Sequence, residues 1–182
     1  MEHEVKVPVD DLGAVRHQLA AAGWRCVLES ARETNLLLDT DSGALRAGGR
    51  ALRLRACAGR HTLTLKGPVQ PAPGVVKTRT ELEVEVDDPT VTLAILGELG
   101  FTARMRYEKD RELWQRGELT VALDHTPLGD FVEVEGPEAK VLGTARALGL
   151  DSDRALLEPY PVLWERRRRQ CPDLPPDMVF CP

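Results

Sequence analysis

Read as an extended chain, EHEVK at residues 2–6 puts Glu2, Glu4 and Lys6 on one side, with His3 and Val5, continuing to Val7, on the other. Side chains alternate across a strand, so this is a strand with one charged face and one largely apolar face. The same period of two returns in NLLLDT, RALRLRA, HTLTLKG, VVKTRTELEVEVD, RMRYEKDRELWQ, ELTVALD and GDFVEVEG, each set off by Gly, Pro or Asp-rich punctuation. About eight strands are predicted, with WRCVLESARETNLLLDT forming one long strand or a bent pair. Helical spacing replaces this pattern in four places. DDLGAVRHQLAAAG has apolar Leu12, Val15, Leu19 and Ala22, an acidic start and a stop at Gly23. PTVTLAILGELG and EAKVLGTARALG are helical, and DRALLEPYPVLWERRRRQ is a helix that Pro159 and Pro161 must break or kink. TDSGALRAGG reads as a turn-rich connection, KGPVQPAPG as a loop between strands, and CPDLPPDMVFCP as a loosely packed tail.

The polar faces of the strands are not arbitrary. Arg53 and Arg55 alternate with Leu52 and Leu54; Lys66 follows Thr62 and Thr64 opposite Leu63 and Leu65; Lys109 and Arg111 share a face. Arg79, Glu81, Glu83 and Glu85 stand opposite Leu82, Val84 and Val86, Glu133 and Glu135 opposite Val132 and Val134, and Asp124 opposite Leu119, Val121 and Leu123. An open sheet with its charged side in water would gain only a few tenths of a kcal/mol from each cross-strand ion pair. Like charges two residues apart on one face repel, so the recurrence of E-x-E on three strands is poorly explained by stability. A sheet of about eight strands can instead close on itself, with the charged faces lining a lumen and the apolar faces covered by helices. The expected fold is α+β, mainly β: an eight-stranded antiparallel barrel forming a tunnel with a charged lumen and helices packed outside. Its lumen would hold the 8 acids Glu2, Glu4, Glu81, Glu83, Glu85, Asp124, Glu133 and Glu135 and the 7 bases Lys6, Arg53, Arg55, Lys66, Arg79, Lys109 and Arg111.

Such a set must be wet, because burying unpaired charges costs several kcal/mol per ion. Clustered carboxylates without His or Cys are hard oxygen ligands suited to Mg²⁺ or Mn²⁺. Arg and Lys facing the same space suit phosphate oxygens. Together they describe a site for a molecule with several phosphates, bound as its metal complex.

The 182-residue length accommodates one well-cored domain, with a core at about 2–163 and a basic helix end and Pro-rich tail at 164–182. A net charge of -5 gives no general attraction to nucleic acid or to an anionic membrane. The absence of a long apolar run and of a basic-then-apolar start points to the cytoplasm. Cys26, Cys57, Cys171 and Cys181 are scattered and read as reduced thiols. The dispersed histidines make no catalytic pair, and Trp24, Trp114 and Trp164 read as packing residues.

The same residues carry a resemblance. EHEVK is similar to the N-terminal ExExK motif of the CYTH superfamily, the triphosphate tunnel metalloenzymes. NLLLDT, RALRLR, LTLKGP, TRTELEVEV, LGF, RYEKDREL, VALDHTPLGDFVEVEG and ALGL follow in the family's order. The resemblance implies an eight-stranded antiparallel tunnel with helices outside. It implies that Arg53, Arg55, Lys66, Lys109 and Arg111, with Lys6 and Arg79, hold a triphosphate. It also implies that Glu2, Glu4, Glu81, Glu83, Asp124, Glu133 and Glu135 serve one or two Mg²⁺ or Mn²⁺ ions. The catalytic group expected is Glu2, Glu4 and Lys6, with the acid pair holding an ion that readies the attacking water. Leu36, Leu37 and Leu38 replace an aromatic pair common in the family, and the roles of Glu85, Tyr160 and the arginine run 166–169 stay open. The expected activity is metal-dependent hydrolysis of inorganic, thiamine or nucleoside triphosphate by a monomer or homodimer. A class IV adenylate cyclase and a non-catalytic polyphosphate-binding module are the alternatives.

Overall fold

A computed structural model of the chain describes residues 2–70 and 76–181, without the side chain of Glu2. Nine strands form one antiparallel sheet: β1 (Glu2–Val9), β2 (Arg25–Asp39), β3 (Ala51–Cys57), β4 (Arg60–Lys66), β5 (Lys77–Arg79), β6 (Glu81–Glu85), β7 (Thr102–Arg116), β8 (Leu119–Thr126) and β9 (Gly129–Glu135). Their order is β5-β1-β9-β8-β7-β2-β3-β4-β6. The two ends of that order, β5 and β6, are one stretch of chain interrupted at Thr80. The stretch changes partner there, from β1 to β4, and the ring closes through the chain itself. The eight alternating segments of the sequence thus become nine strands because VVKTRTELEVEVD bends once. The Thr80 carbonyl, released from the ladder, accepts from the Gly67 N–H at 2.8 Å.

WRCVLESARETNLLLDT is a single bent strand. Its register against β7 shifts between Cys26 and Leu28, between Leu28 and Ala31, and between Leu37 and Leu38, and such bulges add bend and twist.

The outer face of the ring is apolar and meets two helical layers. α1 (Leu12–Ala21) and α4 (Glu138–Ala147) bury Val15, Leu19, Val141 and Ala145 against Val5, Val7, Val121, Val132 and Val134. Val132 and Val134 are fully buried, worth about 1.5–3 kcal/mol each relative to exposure. Around the ring, α3 (Pro89–Glu98) sets Leu93 and Leu96 on Leu52, Leu54, Leu63 and Leu65. Asp11 and Asp88 cap α1 and α3 by accepting from the Ala14 N–H and from the Thr90 and Val91 N–H groups. TDSGALRAGG contains a single helical turn, α2 (Ala44–Ala47). Among the described residues, no helix is long and apolar enough to cross a membrane.

The last helix is shorter than its sequence pattern predicts and sits differently. The prolines confine α5 to Tyr160–Gln170, with Pro159 as its N-cap. Rather than lying on the outer wall, α5 covers one end of the ring. Tyr160, Leu163 and Trp164 pack with Tyr107 and Phe131, which point to the lumen because they are in register with Asn35 and Asp124.

The tail is not loosely packed. Met178 is fully buried in this cluster and exchanges backbone hydrogen bonds with β7, accepting from Glu108 N–H at 2.8 Å and donating to Arg106 C=O at 3.0 Å. It fills the edge of β7 that β8 does not reach, since β7–β8 pairing begins at Asp110. Met178→Ala is therefore expected to lower the unfolding free energy by about 2–5 kcal/mol. Urea denaturation measures this, and a change within about 0.5 kcal/mol would show that the tail contributes no core.

Candidate functional site

Within the ring lies a cavity of about 870 Å³. All seven bases expected there line it: Lys6 from β1, Arg53 and Arg55 from β3, Lys66 from β4, Arg79 from β5, and Lys109 and Arg111 from β7. Glu4, Glu81, Glu83, Glu133 and Glu135 line it as well. Strand register explains the convergence, because directly paired residues share a face: Glu4 lies opposite Glu135, Lys6 opposite Glu133, Arg111 opposite Asp124, and Lys66 opposite Glu81. Asp124 is fully buried behind Arg111. The side chain of Glu2 lies outside the described residues, although its backbone is in register with Arg79.

The deepest network centres on Asp124. Arg111 donates to it from Nε and Nη2 at 2.6 Å each, Lys109 Nζ at 3.1 Å, and the Tyr160 hydroxyl at 2.8 Å. Arg111 also reaches Glu133, which lies 3.2 Å from Lys6 Nζ. Burial alone would raise the Glu133 pKa, but Lys6, Arg111 and Lys109 hold the carboxyl well below the ordinary range. Burial, with Asp124 and Glu133 beside it, pushes the Tyr160 phenol well above its usual value, so it stays protonated and remains a donor. Tyr160, whose role the sequence leaves open, therefore belongs to the site. Its ring lies 4.0 Å from Lys6 Nζ, and it packs edge-on to Phe131.

Four lumen residues escape the sequence argument: Glu33, Asn35, Lys77 and Tyr107. The alternation Glu33, Asn35, Leu37, Asp39 was available in ETNLLLD, but the leucine run draws the eye to an apolar strand. Glu33 is 1% exposed, accepts from Asn35 Nδ2 at 3.0 Å, and stands 3.5 Å from Lys109 and 3.9 Å from Arg55. Burial alone would raise its pKa; Lys109, Arg111, Arg53 and Arg55 outweigh that and hold it well below the ordinary 4.5. Lys77 is one alternation upstream of Arg79, is 3% exposed, and donates to Glu4. Burial lowers its pKa despite Glu4, with Arg79 and Lys6 adding to the drop.

Arg53 is buried with incomplete hydrogen bonding, although Tyr107 and Glu33 beside it outweigh burial and keep its guanidinium charged. It is 8% exposed, its Nη2 reaches Thr64 Oγ1 at 3.4 Å and Glu83 at 3.9 Å, and its Nε has no hydrogen-bond partner among the described residues. The Asn35 Oδ1 is also buried and unpartnered there.

One mouth is built by the α2 turn and α5. Asp39 accepts from the Leu45 and Arg46 N–H groups at 2.9 and 3.0 Å, and Arg46 forks onto Glu165 of α5 with two bonds of 2.6 Å. Leu37, Met105, Pro161 and Val162 give this end of the cavity an apolar wall. Glu85 lies away from the cavity and pairs with Arg60 at 3.4 Å. From the arginine run, Arg166 pairs with Glu158 at 2.8 Å and Arg168 donates to the Leu174 carbonyl, so these two hold local structure.

The acids do not form a ready-made metal cage: among the described residues no three His, Cys, Asp or Glu side chains converge on one point. Their chemistry nonetheless fits a hard cation. Glu4 and Glu135 are directly opposite on neighbouring strands, with Lys77 already engaging Glu4, and their carboxylate oxygens are the ligand type a hard cation takes.

The chain matches the CYTH domain over residues 1–146, a stretch that ends within α4 and leaves α5 and the tail beyond it. A candidate adenylate cyclase of Methanocaldococcus jannaschii is 31% identical over 136 residues, covering 74% of this chain and 76% of that one. The solved structure of a candidate adenylate cyclase from Vibrio parahaemolyticus has the same fold, with a TM-score of 0.82 at 19% identity over 90% of this chain and 97% of that one. A candidate adenylyl cyclase from Hippeastrum, described as having a dominant triphosphatase activity, superposes at a TM-score of 0.64 with 19% identity, covering 97% and 98% of the two chains. With the domain match spanning residues 1–146 of the 182, the chain belongs to the CYTH domain family.

Proposed function

We propose that this chain is a divalent-metal-dependent triphosphatase, releasing the terminal phosphoryl group of a triphosphate held in the lumen. The observation that carries the reading is Arg53, a buried guanidinium with an unpartnered Nε inside a cavity lined by eight further Lys and Arg residues of the strands. A buried N–H donor left without an acceptor costs about 1–3 kcal/mol. A row of phosphate oxygens supplies the missing acceptors.

The chain's own groups divide the work. Arg53, Arg55, Lys66, Arg79, Lys109 and Arg111, with Lys6 and the newly found Lys77, bind and align the phosphates and stabilise charge as the bond to the leaving oxygen breaks. The Tyr160–Asp124 bond fixes the Arg111 fork and the Lys109 ammonium in position. Glu4 and Glu135 would hold Mg²⁺ or Mn²⁺, with Glu133, Glu81 and Glu83 within the same space and with Glu2 as the sequence alternation leads one to expect. When bound, such an ion supplies neutralisation of phosphate oxygens and a more acidic water. Triphosphate binding and metal binding reinforce each other: phosphates that draw Lys77 from Glu4, or Lys66 from Glu81, leave carboxylates in need of a cation.

The 870 Å³ volume and the apolar wall of Leu37, Met105, Pro161 and Val162 support a triphosphate that carries an organic group, such as thiamine triphosphate or a nucleoside triphosphate, alongside inorganic triphosphate. The same wall supports a second reading as an adenylate cyclase, in which a ribose hydroxyl replaces water as the nucleophile.

Incubating the protein with tripolyphosphate, thiamine triphosphate and ATP, each with Mg²⁺ or Mn²⁺, is expected to release orthophosphate; cyclic AMP as the main product from ATP would replace hydrolysis by the second reading. Glu4→Gln and EDTA are each expected to abolish turnover with the circular dichroism spectrum unchanged. Arg53→Ala is expected to lower kcat by about 10²–10³-fold. Full activity of Glu4→Gln with either ion would overturn the metal assignment. Glu33 supplies a test that needs no substrate. Its folded pKa lies below 4.5, so its contribution to stability is complete above that value and is lost as pH falls through the folded pKa. Urea unfolding followed into the acid range should show a shallower loss for Glu33→Gln than for the unaltered chain, and equal slopes would remove Glu33 from the ion network.

A further inference from the structure

The turn that leads into β3 holds a cation with no counterpart. Arg50 lines the cavity at the mouth built by α2 and α5, and it is exposed there. Every other lysine and arginine lining the cavity has a carboxylate partner, and at this mouth Arg46 has Glu165 and Arg104 has Asp41. Among the described residues, Arg50 makes no ion pair and no side-chain hydrogen bond. Its backbone is nonetheless fixed. The Arg50 N–H donates to Leu45 C=O at 2.8 Å and the Gly49 N–H to Arg46 C=O at 3.0 Å, the paired bonds that close a helical turn through a left-handed residue. That residue is Gly49, at φ +67°, and a Cβ on it would stand 3.3 Å from the Pro68 side chain.

Strand register shows what lies between Arg50 and the cations farther in. Along β3 toward the mouth, Arg55 pairs with Asn35 of β2 and Arg53 with Leu37, which in turn pairs with Met105 of β7. Ala51 is the next cavity-lining residue of β3, and Arg50 follows, three residues or about 10 Å of extended chain beyond Arg53. The wall therefore runs from cations through an uncharged stretch of Leu37, Met105 and Ala51 to one more cation. Lys66 lies opposite Ala51 on β4, but Glu81 engages it.

We propose that Arg50 is a subsite for an anion on the far side of the substrate's organic group, and that the substrate is a nucleoside triphosphate with a further phosphate on its sugar. The inference rests on the triphosphate reading of the lumen and adds a second anchoring point to it. A guanidinium forks onto phosphate through two parallel N–H bonds, and an arginine without a carboxylate gives up only water to do so. A longer inorganic phosphate chain offers the same chemistry, but to reach Arg50 it must cross the stretch of Leu37, Met105 and Ala51, where its charges meet no partner on that wall. An organic group crosses that stretch on apolar contact.

Calorimetric titration of the full chain with EDTA present reads binding without turnover. ATP carrying a 3′-phosphate is expected to bind about tenfold more tightly than ATP, the scale of one charge-assisted contact at an exposed site. Arg50→Gln should remove that advantage and leave ATP affinity unchanged. Arg50→Lys should keep part of it, and Arg60→Gln, whose arginine pairs with Glu85 away from the cavity, all of it. Tripolyphosphate and tetrapolyphosphate are expected to show no difference that depends on Arg50. Equal affinity for the two nucleotides, or an advantage that survives Arg50→Gln, would overturn the subsite. An Arg50-dependent gain for tetrapolyphosphate alone would overturn it too, and would give Arg50 to a longer phosphate chain. Hydrolysis is judged separately: if neither nucleotide releases orthophosphate once Mg²⁺ is restored, that reading fails while the affinities still decide for Arg50. If none of the four compounds binds, the triphosphate site falls and the subsite with it.

Discussion

Charges of both signs, shut inside a ring of strands, must neutralise one another, and most of the structure follows from that constraint. Asp124 shows it most clearly: fully buried, it is met by Arg111, Lys109 and the Tyr160 hydroxyl, and Arg111 passes the compensation on to Glu133 and Lys6. Leaving any one of these alone in that setting would cost several kcal/mol. The register of β1, β7, β8 and β9 is therefore fixed twice, by valines that must reach α1 and α4 outside and by ions that must find partners inside. A one-residue slip would exchange the two sets. The same constraint explains α5, since Tyr160 brings a neutral donor and an apolar ring to an end of the lumen where further charge would have no counterpart.

An interior held together by ion pairs is also prepared to exchange them. Each lumen carboxylate that engages a lysine or arginine acts as a provisional anion, and phosphate oxygens offer those cations the same charge and hydrogen-bond geometry. Replacement changes partners more than it changes burial. Arg53 stands apart in one respect: beside Thr64 at 3.4 Å and Glu83 at 3.9 Å its Nε has no hydrogen-bond partner among the described residues, and under the proposed reading a phosphate oxygen would supply one.

The alternation of charge and valine was enough to read the ring, its lumen and most of the side chains in it, because a strand's period of two leaves no third place for a residue to point. The misses arose where that logic meets another demand. Glu33 and Asn35 precede three leucines of which Leu36 and Leu38 pack in the outer core while Leu37 lines the cavity, and without the register the run reads as purely apolar. Lys77 sits just before the bend at Thr80, in a segment whose loop-like approach hid its strand. Tyr160 and Met178 were beyond reach for a different reason: their places depend on the tertiary docking of α5 and of a Pro-rich tail, and no local periodicity encodes it.

The position of β1 has a consequence for how the protein comes into being. β1 finds no neighbour near it in sequence: His3 is in register with Thr78, and Lys6 with Glu133. The sequence separation is close to the largest the sheet allows, so the entropy of closing those loops must be met before the strand gains a single ladder bond. During synthesis Lys6 is made long before Glu133, so it cannot be seated against that partner until β9 has followed it. The step that completes the ring is then the same step that assembles the site, and a chain caught before it has neither.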